Sequence, residues 1–181
     1  PNSKMYDLNL RKAIAYAIDM DAVSKQFYHG LSTPAKSQLS PLFPSLHNPE
    51  INGFKQDVEK AKQLLDEAGF KDVDGDGIRE GKDGKPVKYT LAMMSGGEIA
   101  EPLSQYYLQQ WKSIGLNVEL VDGRLLDINN FYDRVEADDP AIDFCLAAIG
   151  FGSDPQQVSL FGKTAGFNIS RYTSETLEKA L

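Results

Sequence analysis

Two short stretches hold the residue types that chemistry needs. In the first, Asp72-Val73-Asp74-Gly75-Asp76-Gly77 is followed, after five intervening residues, by Asp83. Carboxylates at alternate positions can converge on one hard cation, and glycine lets the backbone turn sharply enough to bring them together. The spacing copies part of a calcium loop. It departs from that loop by ending on Asp rather than a bidentate Glu, by placing Ile78 one position early, and by leading into a strand pattern instead of a second helix. Bound calcium and a solvated turn rich in aspartate-to-backbone hydrogen bonds are both compatible with these residues. Either way the role is structural.

The second stretch is Gly150-Phe151-Gly152-Ser153-Asp154-Pro155, which breaks off a continuous apolar run from Phe144 to Ile149. The run has the length and composition of a strand buried on both faces. Glycine admits close approach of another molecule to the backbone, phenylalanine offers a flat apolar face, and a lone carboxylate offers an anion. Ligands of α/β proteins sit just beyond the carboxyl ends of such strands. A tight turn after a core strand accounts for the same residues.

Other chemistries lack their parts. His29 and His47 have no Cys, His or carboxylate at ligand spacing, which argues against zinc. Ser153 and Ser95 have no Gly-x-Ser-x-Gly frame around them. Gly150-x-Gly152 lacks the third glycine and the following helix of a dinucleotide loop. No carboxylate pair is positioned by sequence as acid and base. Tyr106, Tyr107 and Trp111 recur at helical spacing and read as core residues.

Composition narrows the class further. Of 181 residues, 41% are hydrophobic, which is enough for one sizeable core and one domain. The net charge of −7, from 19 basic and 26 acidic residues, makes nucleic acid and anionic membranes poor partners. No apolar run reaches the roughly 18 residues of a membrane helix. The single Cys145 falls within the expected strand and reads as a packed thiol.

The elements that must position these residues follow from periodicity. Residues 8 to 18 place Leu10, Ala13, Ile14, Ala17 and Ile18 on one helical face, and Asp19 caps a second helix that Gly30 terminates. Residues 31 to 56 are rich in proline, glycine, serine and asparagine and should run over the surface. Asp57 caps a third helix ended by Gly69. Then come a strand from Val87 to Met94, a long helix from Ile99 to Ile114 closed by Gly115, a strand from Asn117 to Val121 and a helix from Leu125 to Ala137. Leu160 to Ser170 reads as loop, and Ser174 caps a last helix. Alternating strands and helices predict an α/β fold with a parallel or mixed sheet flanked by helices.

Several segments, in this order, resemble the extracytoplasmic solute-binding proteins of peptide ABC importers, the oligopeptide, dipeptide and nickel-binding family. They are Leu10-Arg-Lys-Ala-Ile-Ala-Tyr-Ala-Ile-Asp-Met-Asp-Ala-Val23, Thr33-Pro-Ala with Ser40-Pro, Asp57-Val-Glu-Lys-Ala-Lys-Gln-Leu-Leu-Asp-Glu-Ala-Gly-Phe70, Asp74-Gly-Asp-Gly-Ile-Arg79, Leu108 to Leu120, and Asn168 to Leu177. The resemblance implies a periplasmic-binding-protein-like receptor whose two lobes close on the ligand. Residues 1–181 would be a single α/β lobe, an excised and incomplete part of the C-terminal lobe, with the partner lobe absent. It further implies capture of oligopeptides or dipeptides and delivery to membrane permease subunits, without catalysis, by a monomer in the periplasm or lipid-anchored at the cell surface. Family members also carry nickel chelates and sugars.

By the same resemblance, Asp154 is expected to pair with a peptide's α-ammonium and Phe151, Gly152 and Ser153 to shape the pocket wall. Asn168, Arg171 and Tyr172 would be neighbours. Phe151 stands where the family has Trp, and Pro155 where Tyr is usual. No cofactor is expected beyond the calcium that Asp72, Asp74, Asp76 and Asp83 suggest. Two other classes are a calcium-stabilised adhesion or scaffold module and an enzyme that borrows this lobe.

Overall fold

The computed structural model describes residues 3–39, 41–148, 150 and 157–181. Most of its α-helices begin where a side chain satisfies free backbone N–H groups of the first turn. Asp7 caps α1 (Leu8–Tyr16) by accepting from Asn9 and Leu10 N–H at 2.8 and 3.0 Å. Asp19 caps α2 (Met20–Phe27) and Asp57 caps α3 (Val58–Ala68), and Gly69, at φ +87°, closes α3 in a left-handed conformation that suits glycine. Helices α1 and α3 pack together. Ala13 and Ala61 are fully buried on them.

The sheet has three described strands in the order β2-β1-β3, all parallel: β1 (Tyr89–Met93) lies between β2 (Val118–Leu120) and β3 (Phe144–Leu146). Helix α4 (Ala100–Ser113) connects β1 to β2, and α5 (Ile128–Glu136) lies between β2 and β3. Antiparallel pairing occurs outside the sheet, in the bridge between Lys71 and Glu80. Two short helices follow, α6 (Val158–Phe161) and α7 (Glu175–Ala180), the latter capped by Ser174.

Alternation along the strands builds a core on each face. Tyr89, Leu91 and Met93 join α1, α3 and α4 in the larger core, while Ala92 turns to a smaller one with Val121, Leu126, Phe131 and Val135. In β3, Phe144 and Leu146 pack on the first and Cys145 on the second. Burial pushes the Cys145 thiol pKa up. Trp111 stacks on Tyr107 at 5.5 Å, meets Phe144 edge-on at 5.3 Å, and donates its indole N–H to Ile14 O at 3.1 Å. Tyr107 and Trp111 are therefore core residues, as their spacing predicts.

Three expectations need correction. The strand expected over Phe144 to Ile149, buried on both faces, spans Phe144–Leu146 and is half-buried, because it lies at the edge of the described sheet; Ala147 and Ala148 are exposed. Ile149 is outside the described residues. The fifth helix starts at Ile128 rather than Leu125, since Asp127 caps it and Leu126 is drawn into a parallel bridge with Met94. The first helix ends at Tyr16, although Ala17 and Ile18 continue its buried stripe. Residues 31–56 follow expectation, with no helix or strand and mostly exposed side chains among those described.

Candidate functional site

A parallel sheet sends the carboxyl ends of all its strands to one edge. At that edge β1 runs into Ser95-Gly96-Gly97, with φ of +120° and +73° at the two glycines. β2 runs into Asp122-Gly123, at φ +56° and +69°. Strand β3 delivers Ala147, Ala148 and Gly150 there, all exposed. The expected ligand turn continues from this point, but Phe151, Gly152, Ser153, Asp154 and Pro155 lie outside the described residues.

Asn168 and Arg171, expected as neighbours of a ligand, spend their hydrogen-bonding groups on the chain. Asn168 is buried, and its amide N–H groups donate to Gly162 O at 3.2 Å and Tyr172 O at 3.0 Å, with a longer contact to Phe161 O. Its carbonyl accepts from Ser170 Oγ at 2.8 Å. Arg171, at φ +51°, donates to Val135 O and Glu136 O at the end of α5, both at 3.1 Å, and to Ile169 O, and it pairs with Asp138. Cationic donors suit the negative end of a helix dipole. Together the two residues knot 161–172 and fasten it to α5, with the Tyr172 ring exposed. A cavity of about 320 Å³ opens beside the knot, lined by Glu136, Lys163, Thr164, Arg171 and Thr173 among others.

The acidic stretch folds into a chain of aspartate turns. Asp72 accepts from Gly75 N–H at 2.7 Å and Gly77 N–H at 3.0 Å, Asp74 from Asp76 N–H, and Asp76 from Ile78 N–H. Carboxylate oxygens of Asp72, Asp74 and Glu80 lie within 4.8 Å of one another. Asp83 stands apart: it accepts from Lys85 N–H and pairs with the Lys85 ammonium at 3.5 Å, and Lys85, first through that N–H, holds the Asp83 carboxyl below its ordinary range.

Sequence reasoning missed Glu80, which is 5% exposed and accepts from Val73 N–H at 2.8 Å. Its place is set by the bridge to Lys71, a pairing that no spacing rule announces. Arg79 anchors the loop to the body by donating to Phe70 O and Ile114 O and pairing with Asp66. Three close carboxylates can take a hard cation. Each oxygen held by one N–H keeps lone pairs for a second partner. Among the described residues this is the only group of three or more His, Cys, Asp or Glu side chains with that proximity.

Comparison with known proteins gives one consistent picture. The model of the family described as bacterial extracellular solute-binding proteins, family 5 Middle, matches residues 2–168. The chain is 37% identical over 180 residues to the oligopeptide-binding protein OppA of Lactococcus lactis subsp. cremoris, covering 98% of this chain and 30% of the relative. Its fold superposes with a TM-score of 0.91 and 36% identity on lactococcal OppA complexed with an endogenous peptide in the closed conformation, over 98% of this chain and 33% of that one. Against the oligopeptide-binding protein AppA of Bacillus subtilis in complex with a nonapeptide, the TM-score is 0.84 at 26% identity, over 96% and 34% of the two chains. The chain thus spans about a third of the length of the relatives it matches.

Proposed function

The chain belongs to the bacterial extracellular solute-binding proteins of family 5, and we propose that it is part of one lobe of a receptor that captures oligopeptides outside the cytoplasm and passes them to an ABC permease. The observation that carries this reading is the likeness over 98% of the chain to a peptide-bound, closed OppA. Backbone-directed recognition suits such cargo, because every extended peptide offers the same N–H and C=O groups. In this reading Asp154 anchors the peptide amine, and the 161–172 knot, braced by Asn168 and Arg171, forms a fixed shoulder beside it. The receptor acts as a monomer, performs no chemical step, and is held in the periplasm or by a lipid anchor.

One lobe offers half a cleft. The ion pair at Asp154 gains strength only when a closing lobe excludes water. Thermal-shift screening with a mixed tripeptide-to-octapeptide pool, run on this chain and on a longer protein that includes the partner lobe, tests the reading. Ligand that binds only the folded state raises its melting temperature. A shift in the two-lobe protein alone is expected; no shift in either would direct the search to nickel chelates or sugars.

For the acidic loop, we propose a structural cation held by Asp72, Asp74 and Glu80, favoured by the 4.8 Å proximity of their oxygens. Calcium fits an all-oxygen donor set of this kind.

A further inference from the structure

We infer that Asn52-Gly53 is a deamidation site built into the 31–56 segment. The reaction needs the backbone nitrogen of residue n+1 to reach the side-chain carboxamide carbon of an asparagine. That requires no side chain in the way, no hydrogen bond holding the N–H, and access to water. Asn52 is followed by Gly53, is exposed, and lies outside any helix or strand. Among the described residues neither has a hydrogen-bond partner.

The other described asparagines each fail one of these conditions. Asn9, Asn129 and Asn130 sit in the first turns of helices, where the following N–H groups are held by the Asp7 carboxylate, the Asp127 carboxylate and Asp127 O respectively. Asn48 precedes Pro49, which has no N–H. Asn117 precedes Val118 in β2. Asn168 is buried, and its amide is engaged on both sides.

At Asn52 the Gly53 nitrogen loses its proton to hydroxide and attacks the carboxamide carbon. A C–N bond forms, closing a five-membered imide, and the bond to the side-chain nitrogen breaks to release ammonia. Water then opens the imide at one carbonyl to give aspartate or at the other to give isoaspartate. No oxidant or reductant takes part, and the protein gains one negative charge.

The isoaspartate product has a structural consequence. The Gly53 backbone lies so close to an earlier part of the same segment that an added Cβ would meet Lys36 Cα at 2.9 Å. Next to it, Phe54 packs edge-on against Tyr16 at 4.9 Å. An extra main-chain carbon just before Gly53 cannot preserve both contacts, so isoaspartate loosens residues 31–56 from α1 while the two cores stay intact.

The test is incubation of the folded chain in mildly alkaline buffer, followed by isoelectric focusing, peptide mapping and labelling with isoaspartyl methyltransferase. The expected result is a form shifted by one negative charge, its label confined to the peptide around residue 52, appearing faster as pH rises and absent in Asn52→Gln. A label that maps elsewhere or persists in Asn52→Gln would overturn the proposal. So would strong protection of Asn52 in the folded chain relative to the same chain in urea, because Asn52 is exposed and lies outside any helix or strand.

Discussion

Lys4 Nζ lies 2.9 Å from Asp143 Oδ2, so that the first described turn of the chain is tied to the residue that opens β3. The same oxygen accepts from Thr90 N–H at 2.8 Å and Thr90 Oγ1 at 3.0 Å, and Lys4 also donates to Lys88 O. Asp143 therefore pins β3 to β1 at its entrance. The Asp143 side chain is 9% exposed and that of Lys4 is 48% exposed.

The asymmetry in burial predicts unequal costs. Asp143→Ala strands the half-buried Thr90 N–H and is expected to lower stability by about 1–2 kcal/mol, toward the low end of the cost of leaving a donor unsatisfied. Lys4→Ala removes a half-exposed ion pair and should cost about 0–1 kcal/mol. Urea denaturation of the two variants measures both, and equal losses would contradict the hub role of Asp143.

In the two-lobe receptor, Asp154→Asn is expected to weaken peptides with a free α-ammonium far more than their N-acetylated counterparts. Isothermal titration with matched pairs reads the difference. Equal loss for both would remove Asp154 as the amine anchor.

Calcium is expected to raise the melting temperature of the chain, and a chelator to reverse the rise. Asp74→Asn should abolish the response. Asp83→Asn should leave it unchanged, because Asp83 is engaged with Lys85 and away from the other three carboxylates. Loss of the response with Asp83→Asn would restore the loop geometry that spacing alone suggested.

Tyr89 and Tyr107 are pushed up to about 12, both chiefly by burial, with Asp143 and Asp7 adding to the effect at Tyr89 and Tyr28 and Tyr106 at Tyr107. Raised phenol pKa values favour the protonated, folded form, so their contribution is complete below the ordinary value of 10.0 and is lost as pH rises toward 12. Spectrophotometric titration should show these two phenolates appearing only with unfolding. Early, independent ionisation of all tyrosines would contradict their burial.

Much of the fold is legible in the chain because it is written locally. Asp19, Asp57 and Ser174 cap the helices that follow them, Gly69 ends α3, and the apolar stripe of α3 has its expected period. The start of α5 is set locally by the Asp127 cap, but the larger misses depend on distant partners. A run such as Phe144 to Ile149 states its hydrophobicity but not how many strands flank it. Glu80 joins the acidic loop through a pairing with Lys71, and Arg171 caps α5 from 35 residues away. Local pattern sets where an element lies, whereas long-range pairing decides which polar groups are left for a ligand.

The chain has a single tryptophan, and it sits on one side of the sheet only. Trp111 bridges α4 to α1 and touches β3 through Phe144, while Phe131 and its neighbours pack on the opposite face. Intrinsic emission is therefore a one-sided gauge: it follows undocking of α1 from α4 and stays silent while α5 frays. Pairing it with far-ultraviolet circular dichroism would reveal whether the two sides of the sheet melt as one cooperative unit or in sequence.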